Sequence, residues 1–111
     1  MKLYHASFNA YKDSILKNGL KLPNGKSNFG MYIGEYIFLA KDPIIAESYA
    51  ESVDEDIVPK EIYNSGICIF EINLPDNFIL QVDANNLAKN TFMVDKKIPP
   101  ECITEFNIEN L

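Results

Sequence analysis

Residues 36–50 read Tyr36-Ile37-Phe38-Leu39-Ala40-Lys41-Asp42-Pro43-Ile44-Ile45-Ala46-Glu47-Ser48-Tyr49-Ala50. Tyr36 to Ala40 is a continuous apolar run, the pattern of a strand covered on both faces. Asp42-Pro43 then predicts the start of a helix. Asp is a favoured N-cap, and proline is pre-organised for the first helical position. Ile45, Ala46, Tyr49, Ala50 and Val53 fall on one side of that helix and form its apolar stripe. Asp54-Glu55-Asp56 ends it in a solvated acidic loop that lacks the alternating ligands of a calcium loop.

Upstream, Lys2 to Ala6 reads as a short strand, and Ser7 as the cap of a helix carrying Phe8, Tyr11, Ile15 and Leu16 on one face. Asn18-Gly19 is the stop signal of that helix. The stretch 20–34, with Pro23-Asn24-Gly25 and Gly30, is a long connection, and its length suggests binding or partial disorder. Downstream, Gly66 to Leu74 is a strand. Pro75-Asp76-Asn77 is a turn, and Phe78 to Val82 is expected to return as the partner strand of a hairpin. Asp83 caps a short helix through Ala88. Thr91 to Val94 is a further strand, Ile98-Pro99-Pro100-Glu101 a rigid turn, and Cys102 to Phe106 a last strand. Helices early and strands late predict an α+β fold in a single domain, 1–111, of two small packed sheets with flanking helices.

Composition narrows the functions. The 111 residues are 47% hydrophobic and 23% charged, which is ordinary globular material. The formal net charge is −6, every basic residue is lysine, and there is no arginine. Arginine is the preferred bidentate reader of phosphates and guanine edges, so nucleic-acid backbone binding is not expected. Cys68 and Cys102 lie in apolar surroundings and read by default as buried free thiols, with pairing open if adjacent strands bring them together. One histidine and two separated cysteines do not make a zinc site, so no metal is expected. No stretch has the length and apolarity of a membrane-spanning helix, and Met1 to His5 has no signal-peptide character, so the expected location is cytoplasmic.

Three segments carry a further signal. They are Leu3-Tyr4-His5-Ala6-Ser7 with the helix ending Ile15-Leu16-Lys17-Asn18-Gly19-Leu20, the stretch 35–50, and Thr91-Phe92-Met93-Val94 leading to Ile98-Pro99-Pro100-Glu101. Their order resembles the His-Tyr-Glu class of ADP-ribosyltransferases, the diphtheria-toxin and poly(ADP-ribose) polymerase branch. That class opens on a strand ending His-Gly-Ser or His-Gly-Thr. A helix closing on Ile-Leu-x-x-Gly-Leu follows, then a strand of the type Ile-Tyr-Phe-Ala and a helix carrying a second tyrosine. The separation of Ala40 from Tyr49 matches.

The resemblance implies NAD as the substrate, with an NAD- or ADP-ribose-like ligand at the site. His5 would hold ribose hydroxyls, and the backbone of Ala6, followed by Ser7, would pair with the nicotinamide carboxamide. Phe38 and Tyr49 would sandwich the nicotinamide ring. This chain departs from the class at three places. Ala6 stands for the usual glycine, Phe38 for a tyrosine, and Thr91 occupies the position of the catalytic glutamate. The readings left by the resemblance are a mono-ADP-ribosyltransferase of phage- or toxin-effector type, or a non-catalytic binding module. The transferase would act on a protein, a small molecule or a nucleic acid. The module would take NAD, ADP-ribose or a protein partner. Without it, His5 reads as a partly buried structural histidine, Tyr49 and Phe38 as core aromatics, and the whole as an acidic interaction protein.

Overall fold

The computed structural model describes residues 1–21, 37–51, 58–78, 80–82, 91–107 and 109. In chain order it contains strand β1 (Lys2–Phe8), a 3-10 turn (Asn9–Tyr11), helix α1 (Lys12–Asn18), strand β2 (Ile37–Ala40), helix α2 (Pro43–Glu51) and helix α3 (Lys60–Tyr63). Strands β3 (Ile67–Asn73), β4 (Gln81–Val82) and β5 (Thr91–Val94), a second 3-10 turn (Pro100–Cys102) and strand β6 (Ile103–Phe106) follow.

The α+β class holds, but the described strands form one six-stranded sheet rather than two packed sheets. Its order is β4-β5-β2-β1-β3-β6, and every neighbouring pair is antiparallel. The join between its halves is narrow. β1 pairs with β3 along its whole length, from Lys2↔Asn73 to Phe8↔Ile67, and β2 pairs with β5 from Ile37↔Val94 to Ala40↔Thr91. Between β1 and β2 the ladder contains the single pair Tyr4↔Ala40. Two three-stranded halves therefore meet at one rung.

The expected hairpin of 66–74 with 78–82 does not form. The turn is present, with the Phe78 amide donating to the Pro75 carbonyl at 3.2 Å. However, both edges of β3 are occupied by β1 and β6, so the returning chain pairs with β5 instead. The first helix also starts later than the side-chain pattern suggests. Ser7 and Phe8 are held in β1 by Cys68 and Ile67, and the ladder overrides Ser7's capping tendency. Phe8 instead packs in a small cluster with Val58, Ile62, Tyr63 and Ile67.

Strand alternation sorts the rest. Leu3, Ile37, Leu39, Phe70, Ile72, Val94 and Ile103 form the main core with Ile15 of α1, Leu20 and Ile98. α2 packs against β1, β3 and β2 and buries Ala46 and Ala50. Ile45 and Tyr49 of its stripe are half-buried. Asp42 caps α2 as expected, its Oδ1 accepting from the Ile44 amide at 2.7 Å. Gly19 ends α1 at φ 84°, and the Leu20 and Ile98 backbones then exchange hydrogen bonds at 2.9 and 3.0 Å. The 3-10 turn after Pro99 and the final strand follow the proline-rich turn read from the sequence. Val53, the acidic residues 54–56, residues 22–34 of the long connection, Tyr36 and the short helix expected from Asp83 lie outside the described residues.

Candidate functional site

His5 lies on β1, one residue past the single rung that joins β1 to β2. Its pairing with Phe70 and its parity with Leu3 put it on the main-core face. The His5 Nδ1 sits 2.8 Å from the Phe38 carbonyl oxygen. A carbonyl only accepts, so this bond places the proton on Nδ1 and leaves Nε2 as the acceptor of the neutral ring. Burial holds the imidazole pKa below its ordinary value, and the bond to Phe38 offsets part of that shift.

Thr91 opens β5 opposite Ala40 and is 1% exposed. The Tyr49 hydroxyl donates to Thr91 Oγ1 at 3.2 Å, tying α2 to the start of β5. Thr91 shares parity with Ala40 and Tyr4, so Tyr49 approaches the sheet from the face opposite the main core. Phe38, two residues before Ala40, shares that parity and is half-buried. Lys41 follows Ala40 and sets its ammonium 5.5 Å from the centre of the Phe92 ring, a cation–π contact.

The structure thus links His5 to Phe38 by a hydrogen bond and Tyr49 to Thr91 by another. The Ala40↔Thr91 rung connects the two pairs. His5 and Tyr49 lie on opposite faces of the sheet, His5 bonded to β2 beside the gap between β1 and β2, and Tyr49 to β5 on the other side of β2. Ala6 and Ser7 lie along that gap, half-buried, laddered to Ile69 and Cys68 on the β3 side. Sequence reasoning missed the Tyr4↔Ala40 rung that closes one end of the gap, because no local pattern signals which residues pair across 36 positions.

Other chemistry-bearing residues lie elsewhere. Glu71, whose orientation the sequence leaves open, is half-buried and 3.6 Å from Lys2. A groove of about 690 Å³ is lined by Asn9, Lys12, Cys68, Glu105 and Glu109 among others. Lys12 and Glu105 form an ion pair across it at 2.9 Å. Cys68 and Cys102 are both free and buried. Desolvation pushes the Cys68 thiol up to about 11, so it is protonated and a poor nucleophile near neutral pH. Among the described residues, no three of His, Cys, Asp and Glu gather at metal-binding distance, and no helix is long and apolar enough to cross a membrane. No protein-family model and no curated protein matches this chain.

Proposed function

We propose that this chain is an ADP-ribosyltransferase-like domain that binds NAD at the gap between β1 and β2. The observation that carries the reading is the hydrogen bond from His5 to the Phe38 backbone across that gap. It joins two residues, 33 positions apart, that the resemblance assigns to the same ligand. In this reading the Nε2 of His5 accepts from a ribose hydroxyl, and the Ala6 backbone meets the carboxamide. Phe38 and Tyr49 flank the nicotinamide. Lysines and helix N-termini supply the counter-charge for the diphosphate, because the chain has no arginine.

Transfer would break the bond between C1′ of the ribose and the nicotinamide nitrogen, with the electron pair leaving on nicotinamide. An acceptor nucleophile would then attack C1′ and give up its proton. A second reading, a binding module without catalysis, is favoured by Thr91. A carboxylate at that position would stabilise the developing positive charge, whereas Thr91 offers a neutral hydroxyl bonded to Tyr49.

Calorimetry with NAD tests the binding. A dissociation constant of about 10 µM to 1 mM is expected, or roughly 4 to 7 kcal/mol, weakened at least about tenfold in His5→Ala. No heat at millimolar NAD would remove the proposal. Nicotinamide release, measured on the same samples, separates the transferase from the binding module.

A further inference from the structure

The gap between β1 and β2 has no cause in the chain's covalent chemistry. Both strands continue in extended form past the Tyr4↔Ala40 rung, β1 to Phe8 and β2 back to Ile37. Continuing that register would set His5 opposite Leu39, Ala6 opposite Phe38 and Ser7 opposite Ile37, yet none of these pairs forms. Neither segment contains a proline to withhold a donor or a glycine to break the strand. On their other sides both strands ladder without interruption. On this side the His5 ring reaches across from β1, its Nδ1 2.8 Å from the Phe38 carbonyl.

In an antiparallel ladder, a carbonyl directed at the neighbouring strand takes the amide of the residue opposite. For Phe38 that residue is Ala6. We propose that His5 is a positioning residue, a strut whose Nδ1–H takes the Phe38 carbonyl in place of the Ala6 amide and so holds β1 and β2 apart. The strut leaves the peptide edge at Ala6 without a ladder partner on β2, which is the condition for that edge to meet a ligand. The inference does not depend on NAD being the ligand. NAD binding can fail while the strut stands, and the strut can fail while NAD still binds.

The test is made on the full chain labelled with ¹⁵N and ¹³C. Long-range ¹H–¹⁵N spectra of the wild type near pH 7.5 should show a neutral His5 ring protonated on Nδ1. A ring protonated on Nε2 would overturn the proposal without any variant. Amide exchange and cross-strand contacts are then compared in His5→Ala and His5→Asn. The asparagine amide can mimic Nδ1–H, whereas alanine cannot. In His5→Ala the ladder should close, with Ala6–Phe38 backbone contacts appearing and Ala6 exchange slowing by about tenfold or more. His5→Asn should keep the wild-type gap and exchange rate. A folded His5→Ala with the gap unchanged, or a His5→Asn in which the ladder closes, would overturn the strut. If His5→Ala does not fold, the tautomer and the asparagine variant decide.

Discussion

At the scale of single residues, two hydrogen bonds tie the candidate site together. His5 is committed through Nδ1 to a backbone carbonyl, and Thr91 accepts from Tyr49. Because burial holds the His5 pKa below the ~6.5 of an unfolded chain, the unfolded state binds its proton more readily. Stability should therefore fall as pH drops below about 6.5 and level off once the folded pKa is passed. Urea unfolding at pH 7.5 and pH 5, compared between wild type and His5→Asn, isolates this contribution. An equal pH dependence in both proteins would mean that His5 is not the group responsible. Thr91→Val removes the acceptor of the Tyr49 hydroxyl and should cost about 1 kcal/mol in the same assay. Thr91→Glu restores the carboxylate of the resembled class. If the transferase alignment is right, it should raise nicotinamide release by a factor of about 10². A thermal melt must accompany that measurement, since a buried carboxylate also strains the fold.

The elements show where local sequence determined structure and where pairing overrode it. The Asp42-Pro43 start of α2 and the Gly19 stop of α1 were legible because capping and left-handed backbone are properties of a few adjacent residues. The late start of α1 and the missing hairpin were not. Ser7 has the chemistry of a cap and Pro75-Asp76-Asn77 that of a turn, but β1 claims the first and the full edges of β3 redirect the chain after the second. The short helix α3 follows Pro59, which suits a helix start, yet its few residues give no periodic signal. Gly19→Ala is the sharpest element-level test. A Cβ there would lie 2.2 Å from the Ile98 carbonyl oxygen, at φ +84°. It should cost on the order of 3 kcal/mol, read as a lower urea midpoint. A loss below about 0.5 kcal/mol would mean that the Gly19–Ile98 approach is not tight in solution.

For the whole molecule, two three-stranded halves share one rung and separate beside it. Of the candidate site, the residues were legible and their arrangement was not. His5, Phe38, Tyr49 and Thr91 could be picked out by their order along the chain. That His5 and Tyr49 approach from opposite faces follows only from register. Backbone NMR during an NAD titration tests most directly whether the proposed NAD site lies at the gap between the halves. Shift changes are expected at His5, Ala6, Phe38, Tyr49 and Thr91, saturating between about 10 µM and 1 mM NAD. No change at millimolar NAD, or changes confined to the groove of Asn9, Lys12 and Glu105, would contradict it.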